Sequence, residues 1–80
     1  MKYVYILRSK AVPSRVYVGC TTDVKRRLEE HNHCQSPSTS KYAPWEVVSY
    51  FAFRSTARAD KFELYLKTGS GRAFMKRHFL

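Results

Sequence analysis

The chain has 80 residues, is 44% hydrophobic and 15% aromatic, and carries a net charge of +9 from fifteen Lys and Arg against six Asp and Glu. That length predicts one small domain over residues 1–80 and leaves no room for a separate recognition domain, while the apolar content excludes a disordered basic tail. Nine uncompensated charges oppose compaction and are tolerated where an anionic partner neutralises them, so nucleic acid is the first partner to consider.

In chain order, Tyr3 to Leu7 is an aromatic and β-branched run between Lys2 and Arg8, which predicts a buried strand. Tyr3, Tyr5 and Leu7 then share one face, with Val4 and Ile6 on the other. Ser9 to Arg15, with Pro13 and Ser14, reads as a loop, and Val16-Tyr17-Val18 as a second strand stopped by Gly19. The two strands resemble a hairpin with a long connection, a pairing that would bring Tyr5 and Tyr17 together. Thr22 is placed to cap a helix from Asp23 to about His31. The Ser-, Thr- and Pro-rich stretch from Asn32 to Pro44 predicts a loop of the length usually kept for function. Glu46 to Phe53 is the third strand. Ser55 or Thr56 caps a second helix running to about Thr68, with Gly69 where a left-handed C-terminal cap is wanted. Ser70-Gly71 restarts a terminal helix from Arg72 to His78. The order β-β-α-β-α-α predicts an α+β fold, a three-stranded sheet flanked by helices.

Both long helices place polar residues on an apolar face. Val24, Arg27, Leu28 and His31 follow i, i+3, i+4, i+7, opposite the solvated Lys25, Arg26, Glu29 and Glu30. Ala59, Phe62, Glu63 and Leu66 repeat the spacing, although Leu64 and Tyr65 outside that stripe make the second helix apolar on two sides. Burying an unpaired charge is costly, so Arg27, His31 and Glu63 should line a cleft or meet a partner. The simpler account is a structural ion pair between Arg27 and Glu63, or snorkelling at the edge of the core.

Taken as an ordered set, these residues resemble the GIY-YIG nuclease family. Tyr3-Val4-Tyr5 is followed by Tyr17-Val18-Gly19, then Arg27 ten residues after Tyr17, then Glu63 and Lys67 on a later helix. The likeness covers nearly the whole chain and is strongest to small standalone members related to the N-terminal nuclease domain found in the C component of excinuclease ABC, a DNA-repair enzyme. It implies a magnesium- (or manganese-) dependent endonuclease that hydrolyses DNA phosphodiester bonds. On the family pattern Glu63 binds the metal, Arg27 holds the scissile phosphate, and Tyr5 and Tyr17 help to activate the attacking water, with His31 near the nucleophile. The residue types suit that chemistry: magnesium takes one or two carboxylates, and an arginine fork matches phosphate. Tyrosine, with a reference pKa of about 10, is a poor base unless its surroundings lower that value, and His31 is its rival. Three positions depart from the pattern. Tyr3 stands where the first motif has glycine, a change that strand geometry tolerates. Cys20 follows Gly19 where excision-repair relatives carry lysine, and no asparagine occurs near Met75.

Gly19, Lys41, Lys67 and Arg72 are the candidate nucleic-acid contacts. Lys41 also reads as a plain surface residue, with Trp45 anchoring its loop. Phosphate contacts of this kind depend on salt and carry no base information. Gly69-Ser70-Gly71 reads as a break between helices rather than a phosphate-cradling loop. His31, His33, Cys34 and Cys20 match no standard zinc spacing. Two cysteines are too few for a disulfide scaffold and predict reduced thiols. The apolar N-terminal run is too short for a signal peptide or membrane span, which predicts a cytoplasmic protein without a membrane partner. The function expected is structure-directed cleavage of DNA with little sequence specificity, which a homodimer or a partner protein would then supply. The alternative is a nucleic-acid-binding module of the same fold that cuts poorly.

Overall fold

β1 (Lys2–Ser9) is the middle strand of a three-stranded antiparallel sheet of order β2-β1-β3, between β2 (Val16–Thr21) and β3 (Trp45–Phe53). The computed structural model describes residues 1–33 and 37–80. Around the sheet lie α1 (Val24–Asn32), the one-turn α2 (Pro37–Ser40), α3 (Thr56–Leu66) and α4 (Gly69–His78). The predicted order is therefore present, with α2 added inside the stretch expected to be loop. Cys34, one of the residues weighed for zinc, lies outside the described residues. Cys20 is a free thiol. Among the described residues no helix is long and apolar enough to cross a membrane.

A central strand is covered on both faces, which is why Val4, Tyr5, Ile6 and Leu7 are all buried. Val4 and Ile6 pack with Val18, Ala59, Leu66 and Met75 beneath α3 and α4. Tyr5 and Leu7 face the other way, into a second cluster with Trp45, Tyr17, Val24 and Leu28. Each fully buried aliphatic side chain contributes about 1.5–3 kcal/mol, so the first cluster is the main source of stability. The predicted alternation along β1 is thus realised.

Several boundaries moved, each for a local reason. Gly19 does not stop β2; it pairs with Tyr5 inside the strand, which continues to Thr21. Asp23, not Thr22, caps α1, its carboxylate accepting from the Arg26 N–H at 3.0 Å, while the Thr21 hydroxyl accepts from the Asp23 N–H at 3.1 Å. Ser55 caps α3. Gly69 is no left-handed cap, since no glycine has a positive φ. Lys67 ends α3 in a right-handed conformation, and the Thr68 hydroxyl accepts from the Gly71 N–H at 3.1 Å to start α4 at Gly69. At Gly71 a Cβ would collide with the Tyr65 carbonyl and approach the Leu66 Cα to 2.5 Å, so this glycine lets α4 press against the end of α3.

Candidate active site

The face of the sheet beneath α1 carries a buried polar cluster. His31 lies on the last turn of α1, and its position is set by the core-facing stripe of Val24, Arg27 and Leu28, all three half-buried. The helix end is held to β3 by Asn32, whose side-chain amide donates to the Trp45 carbonyl at 3.1 Å and whose oxygen accepts from the Trp45 N–H. Trp45 is buried, and its indole N–H donates to the Thr39 carbonyl at 2.9 Å, which anchors α2.

Tyr5, Tyr17 and His31 converge as the sequence predicted. The Tyr5 hydroxyl lies 3.0 Å from His31 Nε2, and Nδ1 lies 2.7 Å from the Thr39 hydroxyl. The Tyr17 ring centroid is 4.9 Å from that of His31 and 6.2 Å from that of Tyr5. Tyr5 reaches across the strand over Gly19. A Cβ there would come within 2.6 Å of the phenol Cζ and 3.0 Å of Tyr17 Cε2, so only glycine leaves room for both rings. A core tolerates polar groups that are fully hydrogen-bonded; burial without partners costs about 1–3 kcal/mol per group. Among the described residues no buried side-chain polar atom lacks a partner.

Arg27, half-buried, stands beside Tyr5 at the margin of this cluster. Its guanidinium pairs with Glu30 at 2.8 Å, which holds its proton still more firmly than usual. The Arg27–Glu63 ion pair considered from the sequence is not formed, and Glu30, expected on the solvated side, is half-buried because it turns inward to Arg27. Burial first, and the neighbouring Tyr17 second, push the Tyr5 phenol up to about 12, with Arg27 opposing the rise. Burial, and then the Arg27 charge, hold His31 below its ordinary value. Near neutrality Tyr5 is therefore protonated and His31 is a neutral imidazole.

Glu63 comes from α3 on the far side of β2. It pairs with Lys67 at 2.8 Å, and its charge contributes to the raised pKa of Tyr5. Its carboxylate, that of Asp60 and the Cys20 thiol lie within 4.8 Å of one another. Burial first, then Glu63, push that thiol up to about 11. With that thiol protonated near neutrality, the donors left are the Glu63 and Asp60 side-chain oxygens, which suit a hard divalent cation. Asp60, Glu30 and Thr39 were missed in the sequence. Asp60 and Glu30 had a usable signal, three residues from Glu63 and Arg27 on the same helices, whereas Thr39 had none. Lys41 stands apart, its ammonium 5.7 Å from the Tyr42 ring centroid. Arg72 and Lys67 border a separate cleft at the outer edge of β2.

The GIY-YIG catalytic domain model matches residues 1–78. The structure-specific endonuclease subunit SLX1 of Cryptococcus neoformans is 42% identical over 65 residues, covering 74% of this chain and 13% of its own length. Its counterpart in Candida dubliniensis is 37% identical over 82 residues, covering 94% of this chain and 27% of its own. The chain therefore spans a small part of these curated relatives. Among solved structures, the solution structure of a UPF0213 protein from Bacillus halodurans aligns with a TM-score of 0.57 and 34% identity, over 96% of this chain and 82% of that one. The tyrosine pair over Gly19, the arginine of α1 and the acid of α3 thus occur in a chain that belongs to the GIY-YIG family of catalytic domains.

Proposed function

We propose that this chain is a divalent-metal-dependent endonuclease that hydrolyses phosphodiester bonds of branched DNA, with little sequence specificity of its own. The observation that carries this reading is the buried Tyr5–His31 hydrogen bond with the Arg27 guanidinium beside it. The relatives named as structure-specific endonuclease subunits support branched DNA as substrate and a partner protein as the source of specificity. A homodimer is the other source.

Tyr5 is too weak an acid to act as an anionic base by itself. It instead relays a proton. As water attacks phosphorus, its proton passes to the Tyr5 oxygen while the Tyr5 hydroxyl proton passes to His31 Nε2. This relay uses the tautomer in which Nδ1–H donates to the Thr39 hydroxyl 2.7 Å away, leaving Nε2 as the acceptor for the Tyr5 proton. Neutral His31 is thereby the final acceptor, and Tyr17 walls the water against the imidazole. Arg27, steadied by Glu30, pairs with a non-bridging oxygen of the scissile phosphate. The phosphorus–oxygen bond to the departing strand breaks, and that oxygen takes a proton from solvent. Glu63, with Asp60 beside it, would hold magnesium or manganese, which supplies positive charge to the phosphate oxygens when bound. Lys41, Lys67 and Arg72 are proposed as contacts to the DNA backbone, whereas Gly19, buried beneath the Tyr5 and Tyr17 rings, serves to make room for them, within a single domain that matches the family model nearly end to end.

The test is cleavage of branched and linear DNA with magnesium, manganese or chelator, beside Glu63→Ala and Arg27→Ala. Metal-dependent cutting that prefers branches and is lost in both variants supports the reading. Cutting that persists in Glu63→Ala removes that residue from the mechanism. Salt-sensitive binding with no nicking under any divalent ion favours the non-cutting binding module instead.

A further inference from the structure

Three side chains able to bind a metal ion meet where α3 packs on β2. The donor atoms of Cys20, Asp60 and Glu63 lie within 4.8 Å of one another. Asp60 and Glu63 are three residues apart on α3 and so project from one side of that helix. Cys20 stands on β2 opposite Val4, inside the ladder that joins β2 to the central strand. The donors therefore come from a helix and a strand packed together, which fixes their backbones as loops would not. Two ammonium groups face the cluster: Lys67 pairs with Glu63 at 2.8 Å, and Lys2 with Asp60 at 3.8 Å. Both pairs are partly open to solvent and compete weakly with a dication.

The function proposed above uses only the oxygen donors. Magnesium takes oxygen ligands and leaves a thiol aside, whereas zinc takes sulfur as readily as oxygen. Zinc bonds of about 2.0–2.3 Å set neighbouring ligand atoms roughly 3.5 Å apart. Small side-chain rotations bring atoms that lie within 4.8 Å to that spacing. We propose that Cys20, Asp60 and Glu63 form a zinc site that shares Glu63 with the catalytic ion, so that zinc displaces magnesium and holds cleavage off. The dication offsets the two carboxylate charges beside the thiol, and as the sulfur–zinc bond forms the thiol proton leaves to solvent. Three protein ligands leave a tetrahedral ion one open position, whereas magnesium keeps several for water and phosphate. Zinc is thus no equivalent replacement. The block on cleavage rests on the nuclease reading; the ion site stands on its three donors.

Cobalt(II) is the probe for the site, because a thiolate ligand gives it a near-ultraviolet charge-transfer absorption. The wild type is titrated under a phosphine reductant beside Cys20→Ser, Cys34→Ser, Asp60→Asn and Glu63→Gln, with thermal unfolding to monitor the fold. The sulfur band should saturate with equimolar cobalt in the wild type and in Cys34→Ser, be absent from Cys20→Ser, and be bleached by equimolar zinc. Zinc affinity, measured by calorimetry, should fall on the order of 100-fold in Cys20→Ser and about tenfold in Asp60→Asn. Zinc is then titrated into magnesium-driven cleavage of branched DNA, each protein normalised to its own zinc-free rate. Half-inhibition of Cys20→Ser should need on the order of 100-fold more zinc than the wild type. A sulfur band that persists in Cys20→Ser, or zinc affinity untouched by Asp60→Asn and Glu63→Gln, overturns the site and leaves the nuclease reading intact. Equal zinc sensitivity of cleavage in wild type and Cys20→Ser, or cleavage sustained by zinc alone, overturns the block. A band that depends on Cys20 in a protein that cuts no DNA under any divalent ion sustains the site and ends the nuclease reading.

Discussion

The two faces of the sheet are built from the same strand and solve opposite problems. On the side of α3 and α4, Val4 and Ile6 meet Val18, Ala59, Leu66 and Met75, a hydrocarbon core without polar atoms in its side chains beyond the Met75 thioether. Beneath α1, Tyr5 and Leu7 meet Trp45 alongside the fully buried His31 and Thr39, and every buried polar atom there is hydrogen-bonded. The first face can tolerate rearrangement as long as volume is kept, because dispersion and burial are non-directional. The second depends on atom-to-atom geometry, because a lost partner leaves a buried polar group unpaired. Stability is concentrated on one face and chemistry on the other, with α3 contributing to both through Leu66 and Glu63.

The largest effect that would break this division is at Glu63. Glu63→Gln should lower single-turnover cleavage by about 10³-fold, while thermal unfolding barely moves, since its half-exposed pair with Lys67 adds little. A large loss of stability instead would make Glu63 a structural residue. Leu66→Ala should do the reverse, costing about 2–5 kcal/mol in denaturant unfolding while the folded fraction still cuts at the wild-type rate. A fall in that rate would mean the two faces are coupled through α3. Tyr5→Phe probes the polar face on both counts: it should cost about 1–3 kcal/mol by leaving His31 Nε2 without its partner and slow cleavage by about 10²-fold.

The smallest effect is a pH dependence. Burial and Arg27 hold the His31 pKa in the fold below its unfolded value, so folding favours the neutral ring. The associated stability is present above about pH 6.5 and is lost as pH falls through the lower folded value. The acid limb of the cleavage rate should fall in that same window below pH 6.5, since the neutral ring accepts the proton. Removing one cause with Arg27→Gln should move the His31 titration, followed by NMR of its ring protons, back toward 6.5. A titration that stays in place would assign the shift to burial alone.

Much of this arrangement was legible along the chain, though unevenly. The alternation in Tyr3 to Leu7 and the two helical stripes placed Tyr5, Arg27, His31 and Glu63 on inward faces, and the structure keeps them there. Gly19 was read as the end of a strand, because a glycine looks like punctuation until it is known whose ring crosses it. Gly69 looked like a helix terminator, yet the Thr68 hydroxyl had already started the next helix. Arg27 had several carboxylates to choose from, and the choice fell on Glu30, three residues away, because that pair needs no long-range packing.

By itself the sequence determined the periodicities, and with them the element types, their order and the inward faces, since each depends only on neighbours within a few residues. The tertiary structure alone decided which distant groups meet. Tyr5 finds His31 and His31 finds Thr39 only after α1 is pinned to Trp45. Asp60 joins Cys20, and Lys67 and Arg72 border one cleft, only once α3 and α4 close against the edge of β2. Those meetings are set by the packing of whole elements, where a small rotation exchanges one polar partner for another while the local pattern stays the same.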